Sequence, residues 1–433
     1  MDSKYKIKGM KKWIWIVLLS LVVAGCKNEY KVVIPDVSGW NLFNSPAALP
    51  LAFASRSAME AVYTLTNGSD VFGELSAIKW SYIIKNADTV LHVSGFFGKD
   101  IAYFIGTGKK LNGSILINGY WRKMVSTETG LIRLTISPEN GAGILLGPNP
   151  IVTPGSITFD GFFGNQQQEP VMPITFKYTR KLNNSPSPFR ILAHRSGGRT
   201  SDLLSVSENS VEMILKTPEF GSTGIEIDVR LTKDGVPILY HDNTINLRAT
   251  QKSGLVGPVE NYTFEQLSTF VRLIHGEKIP KLKDALETVV YKTGLTFVWL
   301  DTKYTGSLDL LHALQKEYLQ KAAAAGRTLQ IVIGIPGDVQ LQQFLALPDY
   351  ATTPALCELS LDDLEKSKAI IWAPRFTQGT QNENVELVHQ KGKQVLVWTL
   401  DVPEFITKFV DEGHFDGILS NFPSCVAYNY YVH

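Results

Sequence analysis

Residues 224–242 read GIEIDVRLTKDGVPILYHD. The run Ile225-Glu226-Ile227-Asp228-Val229 alternates apolar and acidic side chains, the period-two spacing of a strand. Ile225, Ile227 and Val229 suit a face packed against helices. Glu226, Asp228 and Arg230 then share the opposite face, which in a closed parallel barrel is the lumen. Same-face neighbours on a strand lie roughly 6.6 Å apart. Two carboxylates held so close repel unless a proton or a cation intervenes. A hard divalent cation with oxygen ligands is the simplest partner. A solvated strand with its acids in water is the plainer alternative.

Working outward, strand-like apolar runs fall at about 189–194, 224–229, 236–241, 296–302, 329–335, 369–374, 394–399 and 416–420. Helical stretches lie near 209–217, 281–291, 308–325, 361–367, 381–391 and 402–412. Eight strands alternating with helices predict an α/β fold, a (β/α)8 TIM barrel over 189–433. One connection, Lys233-Asp234-Gly235, is too short for a helix. Several runs end in titratable groups: Ala193-His194-Arg195, Tyr240-His241-Asp242 and Leu300-Asp301-Thr302-Lys303. The C-terminal ends of barrel strands are where such folds place their chemistry. Tyr240, facing away from His241, reads as core. Trp398 fits barrel packing and pocket lining equally.

The preceding stretch, 26–182, has another texture. Turn dipeptides recur at Asn67-Gly68, Asn118-Gly119, Asn140-Gly141 and Asp160-Gly161. Between them lie alternating runs such as Ile132-Arg133-Leu134-Thr135-Ile136 and Ile174-Thr175-Phe176-Lys177-Tyr178. This predicts an all-β domain, a sandwich or small barrel, with a possible helix within 46–62. Its role reads as scaffold, partner binding or glycan binding. Residues 183–188, Asn-Asn-Ser-Pro-Ser-Pro, are a linker by composition.

Of 433 residues, 44% are hydrophobic and 19% charged, a folded composition, and the formal net charge is +1. Nothing in that balance draws the chain to nucleic acid. Lys4, Lys6, Lys8, Lys11 and Lys12 precede the apolar run Trp13–Val23, and Ala24-Gly25-Cys26 follows. Basic, apolar, small is the order of a signal peptide, here over 1–25. The apolar run is shorter than the ~20 residues a spanning helix needs. Val23-Ala24-Gly25-Cys26 resembles a bacterial lipobox. That resemblance implies lipidation at Cys26 and an extracytoplasmic protein on a cell-envelope membrane, at its periplasmic or surface face. Cys357 and Cys425 would remain, as a disulfide or as two free thiols.

Taken together and in order, the C-terminal motifs resemble the glycerophosphodiester phosphodiesterase family. They are His194-Arg195-Ser196-Gly197, Glu208-Asn209-Ser210, Glu226-Ile227-Asp228-Val229, Thr232-Lys233-Asp234-Gly235, His241-Asp242, Ile279-Pro280-Lys281-Leu282, Trp398-Thr399, Asp416-Gly417-Ile418 and Asn421-Phe422-Pro423. The resemblance implies hydrolysis of a small glycerophosphodiester to an alcohol and glycerol 3-phosphate. It implies Ca²⁺ or Mg²⁺ on Glu226, Asp228 and Asp301, phosphate contacts from Arg195 and Lys303, and acid/base work by His194 and His241. Four features depart from the family pattern. Ser196 replaces a glycine, the 194–208 segment is long, Asp301 stands for a glutamate and Asn421 for an aspartate. Asn209 also reads as a helix N-cap, with Glu212 completing a capping-box-like pair. A related phosphate-ester hydrolase or phospholipase D-like enzyme, and a non-catalytic ligand-binding lipoprotein, remain alternative readings.

Overall fold

The computed structural model describes residues 32–183, 189–199 and 203–433. The leader expected over 1–25, the Cys26 lipidation site and most of the linker fall outside these residues.

The first domain is antiparallel. Its strands are β1 (Leu49–Pro50), β2 (Ala61–Asn67), β3 (Leu75–Lys85), β4 (Asp88–Phe97), β5 (Ala102–Leu111), β6 (Ser114–Lys123), β7 (Thr129–Ile136), β8 (Thr158–Phe163) and β9 (Met172–Lys181). β2 to β9 close through the β5–β6 and β2–β9 pairings into a barrel, and β1 adds to the edge of β5. The expected helix is shorter, Phe53–Met59. Aromatic rings fill the interior: Phe72 stacks on Phe97 with centroids 4.6 Å apart and meets Trp121 and Phe163 edge-on. Two expected turns are corrected. Asn118-Gly119 lies inside β6 and Asp160-Gly161 inside β8. These glycines serve close strand approach: a Cβ on Gly119 would sit 2.2 Å from the Ile105 carbonyl oxygen. The tight hairpins are instead Asn86-Ala87 and Asn112-Gly113, with positive φ at both residues, as two-residue turns of this kind need.

The second domain holds β10 (Arg190–Ala193), β11 (Gly224–Leu231), β12 (Pro237–Leu239), β13 (Thr244–Ile245), β14 (Gly257–Pro258), β15 (Phe297–Thr302), β16 (Gln330–Ile335), β17 (Ala355–Cys357), β18 (Ile371–Trp372), β19 (Gln394–Val397) and β20 (Gly417–Ser420). Eight parallel strands, β10, β11 and β15 to β20, close into a barrel through the β10–β20 and β10–β11 pairings. The fold is the (β/α)8 barrel the sequence predicts, with one stave exchanged. The run 236–241 is not a stave: β12 pairs antiparallel with β11. Thr232 N donates to the Val236 carbonyl at 3.0 Å and Thr232 Oγ1 accepts from Val236 N at 2.9 Å across Lys233-Asp234-Gly235, with Gly235 at φ +74°, so the short connection is a hairpin turn. The missing stave is β17, only three residues long and unread in the sequence. The helices Phe264–Phe270, Asp338–Leu345 and Pro423–Val432 were also unanticipated.

Alternation along the staves sorts the side chains. Ile225, Ile227 and Val229 join the layer between strands and helices. Phe297, Trp299, Val332, Leu356, Ile371 and Leu396 plug the lumen. The two domains share one apolar cluster: Phe96, Tyr103 and Tyr120 of the β-barrel pack with Phe220, Val426 and Ala427 of the α/β barrel. Ser94 Oγ donates to the Glu219 carbonyl at 2.7 Å, and Arg180 donates to the Val432 carbonyl. Cys357 and Cys425 are buried free thiols.

Candidate active site

Above the aromatic plug, β11 and β15 run in register, pairing Glu226 with Trp299 and Asp228 with Asp301. Ligand-capable oxygens of Glu226, Asp228 and Asp301 all lie within 4.8 Å of one another. Glu226 Oε1, Asp228 Oδ1 and Asp301 Oδ1 are buried without a hydrogen-bond partner. Three clustered acids, with Glu226 Oε1 and Asp301 Oδ1 orphaned and Asp228 Oδ1 facing only the Lys303 ammonium, are the donor set a hard divalent cation takes. Burial, then the neighbouring Asp228 and Asp301 charges, push the Glu226 carboxyl well above its usual range. Burial also raises Asp301, against the pull of Lys303. For Asp228 burial works upward, but Lys303, His241 and Arg195 outweigh it and the carboxyl is lowered. The residues therefore fit a divalent cation.

Two cations are already present. Lys303 Nζ lies 2.5 Å from Asp301 Oδ2 and 3.3 Å from Asp228 Oδ1. Arg195 adopts left-handed backbone at φ +50°, as does Ser196 at +67°. This turn brings the Arg195 amide to Glu226 Oε2 at 2.7 Å and its guanidinium to Glu208 at 3.0 Å. Strained backbone of this kind concentrates at functional sites.

The two histidines differ in their surroundings. His194 follows β10, with Nδ1 2.7 Å from Asn421 Oδ1 and Nε2 3.8 Å from Glu226. Burial, then the Arg195 charge, lower its pKa to about 4. His241 reaches the same acids because the hairpin folds β12 back along β11, where Tyr240 N donates to Asp228 O. Its Nδ1 lies 2.7 Å from Asp242 Oδ1, and Arg248 and Asn246 hold the other carboxylate oxygen. Burial of Asp242 is outweighed by these bonds, and its carboxyl is held well below the usual range. Arg230, on the same face of β11 as Glu226, donates to the His241 carbonyl at 3.1–3.2 Å and anchors that turn.

Asn209 is not the helix cap. Ser210 caps, accepting from Met213 N, while Asn209 donates to Asp228 Oδ2 at 2.6 Å and accepts from Asp228 N at 3.1 Å. Trp398 packs edge-on against Trp299 with centroids 6.4 Å apart, carries Arg375 over its ring and remains half-buried. Tyr240 is core, at 1% exposure. Sequence reading missed Asp401, which holds Asn421, and Glu358 at the end of β17. Burial and the Asp301 charge raise the Glu358 carboxyl, against Lys303 and Arg375.

The model of the glycerophosphoryl diester phosphodiesterase family matches residues 194–425. A glycerophosphodiester phosphodiesterase of Caldanaerobacter subterraneus subsp. tengcongensis is 24% identical, over 54% of this chain and 94% of its own. Glycerophosphodiester phosphodiesterase 1 of Mus musculus is 34% identical, over 29% of this chain and 36% of its own. A crystal structure of a glycerophosphodiester phosphodiesterase from Agrobacterium tumefaciens aligns with a TM-score of 0.44 and 18% identity, covering 55% of this chain and 99% of that one.

Proposed function

Since the chain belongs to the glycerophosphoryl diester phosphodiesterase family and is thereby a phosphoric diester hydrolase, we propose that it cleaves small glycerophosphodiesters to an alcohol and glycerol 3-phosphate with a divalent cation, Ca²⁺ or Mg²⁺. The observation that carries this reading is the Glu226–Asp228–Asp301 cluster, whose ligand-capable oxygens lie among His194, His241, Arg195 and Lys303. Glu226, Asp228 and Asp301 would hold the cation, which when bound draws charge from the phosphoryl oxygens. Arg195 and Lys303 bind and orient the non-bridging oxygens. His194, neutral at physiological pH, takes the proton of the attacking hydroxyl at Nε2, whether that hydroxyl belongs to water or to the glycerol. The new oxygen–phosphorus bond forms as the bond to the head-group oxygen breaks. His241, its Nδ1 held by Asp242, gives a proton from Nε2 to that leaving oxygen. Attack by water gives glycerol 3-phosphate directly, whereas attack by the glycerol hydroxyl gives a cyclic phosphate, which a water then opens to glycerol 3-phosphate with the two histidines' roles reversed. We further propose that the protein is lipid-anchored through Cys26 in a bacterial cell envelope.

The test is release of choline and glycerol 3-phosphate from glycerophosphocholine, with chelator and after return of Ca²⁺ or Mg²⁺. Release that stops with chelator and resumes with the ion supports the reading. Turnover unaffected by exhaustive chelation removes the cation from it. No hydrolysis of any phosphodiester, with unchanged ligand binding by His194→Ala, favours the binding-protein alternative.

A further inference from the structure

The turn after β10 carries Arg195, and the turn after β12 carries His241 and Asp242. The two meet on one guanidinium. Arg248 Nε donates to Asp242 Oδ2 at 2.8 Å, while Nη1 and Nη2 donate to Glu208 Oε2 and Oε1 at 2.9 and 2.8 Å. Glu208 Oε1 also accepts from Arg195 Nη1 at 3.0 Å, and Asp242 Oδ1 lies 2.7 Å from His241 Nδ1. Arg195, Glu208, Arg248, Asp242 and His241 thus form one unbroken chain of alternating charge. Its two ends are the group assigned to the phosphate and the group assigned to the leaving oxygen.

Local structure holds Arg248 at the middle of this chain. Asn246 Nδ2 donates to Asp242 Oδ2 at 2.7 Å and to the Thr244 carbonyl at 3.0 Å, and its Oδ1 accepts from the Arg248 amide at 3.0 Å. The turn is clamped to the same carboxylate that the guanidinium holds. Glu208 is only 3% exposed, and a buried carboxylate needs fixed cationic partners. Arg248 supplies a parallel pair of N–H bonds and Arg195 a third.

A guanidinium can make this link and an ammonium cannot. Three N–H groups in a rigid fork reach three oxygens on two carboxylates, whereas lysine is a point charge on a flexible stem. With Oδ2 taken by Arg248 and Asn246, Asp242 offers Oδ1 to the imidazole. Nδ1 is committed there, and Nε2 is left for the leaving oxygen. Asp228 and Asp301 act on the imidazole charge and Arg230 holds the His241 carbonyl, but the hydrogen-bond partner of the ring is Asp242.

Resting on the assignment of His241 as the acid, we propose that Arg248 is a positioning residue. It fixes the Asp242 carboxylate, and through it the imidazole, in register with Arg195, so that the leaving oxygen of a phosphate held by Arg195 meets Nε2 of His241.

Leaving-group dependence tests this on the full chain in Ca²⁺ or Mg²⁺. The choline of glycerophosphocholine leaves as an alkoxide and needs the proton. The p-nitrophenyl ester of glycerol 3-phosphate releases a stabilised phenolate and does not. Arg248→Gln should lower kcat/KM for glycerophosphocholine by about 10–100-fold, the usual cost of losing an orienting partner. It should cost the nitrophenyl ester at least about tenfold less. Arg248→Lys keeps the charge on a side chain that is 39% exposed, should show the same split, and decides the matter if Arg248→Gln does not fold. His241→Ala separates this inference from the reading beneath it and should show the split more strongly. A split in His241→Ala, with equal losses on both esters in the folded Arg248 variants, overturns the positioning role alone. Equal losses on both esters in His241→Ala overturn the acid assignment and this inference with it. A folded Arg248→Lys with wild-type activity on glycerophosphocholine also overturns it, because charge without the fork then suffices.

Discussion

Nδ1 of His194 lies 2.7 Å from Oδ1 of Asn421. The amide is oriented by Asp401, which accepts from Asn421 Nδ2 at 2.6 Å and from its backbone N at 2.9 Å. The amide oxygen therefore faces the imidazole and can only accept, so Nδ1 carries the proton and Nε2 keeps its lone pair. This is the tautomer a general base needs. Asn421→Leu should lower kcat/KM for glycerophosphocholine by about 10–100-fold, as losses of orienting partners do, with most of the loss in kcat. Asn421→Asp should restore activity and move the acidic limb of the pH profile upward, because a carboxylate favours the imidazolium. Equal loss in both variants would show that orientation is not the role.

The lowered pKa of His194 has a consequence for stability. Burial and Arg195 bring it to about 4, against 6.5 for an ordinary histidine. Between those values the unfolded chain binds a proton that the folded chain refuses, so stability falls as pH drops from about 6.5 toward 4. His194→Gln should flatten that fall without altering stability near pH 8 by a comparable amount. Urea denaturation at pH 8, 6 and 5 measures it. A variant whose stability tracks the wild type across this range would contradict the assignment.

Cation binding should release protons. The Glu226 and Asp301 carboxyls are raised, so a fraction of them is protonated without an ion, and an entering cation must displace those protons. Titrating weakly buffered, chelator-stripped protein with Ca²⁺ or Mg²⁺ should acidify the solution, and apparent affinity should fall as pH is lowered. Asp228→Asn should weaken binding by at least about tenfold, because that carboxylate stays ionised. Binding without proton release at any pH between 5 and 8 would contradict the raised carboxyls.

Much of this centre was legible because β11 writes its two faces into period two. Ile225, Ile227 and Val229 announce one face and Glu226 and Asp228 the other. The expected third strand, 236–241, misled because a short apolar run such as Pro237-Ile238-Leu239-Tyr240 looks the same in a hairpin as in a buried stave. Its true pairing depends on Gly235 adopting positive φ. β17 was hidden by length: three residues carry no period, and Glu358 beside them lost its context. Asn209 was misread because an asparagine before a helix is ordinarily a cap. Only the fold brings it to Asp228, nineteen positions along the chain. The domain seam was invisible, since Phe96 and Phe220 each look like local core.

Lipid attachment at Cys26 is open to a direct check. Cells expressing the chain and fed labelled palmitate should yield labelled protein that partitions into detergent, and Cys26→Ser should abolish both the label and the partition. Label that persists in Cys26→Ser would place the lipid elsewhere, and unlabelled wild-type protein would remove the anchor.

The shared core of the two domains predicts that they unfold together. Phe96 is fully buried, and an ideal Cβ on Gly221 would approach both its ring and the Ala427 methyl at 2.7 Å. Gly221 also sits at φ +82°, where a side chain is strained. The loop after the helix Val211–Lys216 is thus fitted against the β-barrel with no spare room. Phe96→Ala should cost about 3–5 kcal/mol, the usual penalty for emptying a buried aromatic site. Gly221→Ala should destabilise as well, by overpacking and backbone strain. In the wild type, tryptophan fluorescence and far-UV circular dichroism should report one coincident urea transition, and in Phe96→Ala that single transition should move to lower urea. Two separated transitions in the wild type, or a Phe96→Ala variant whose α/β barrel unfolds at the original midpoint, would mean that the seam contributes contact without coupling.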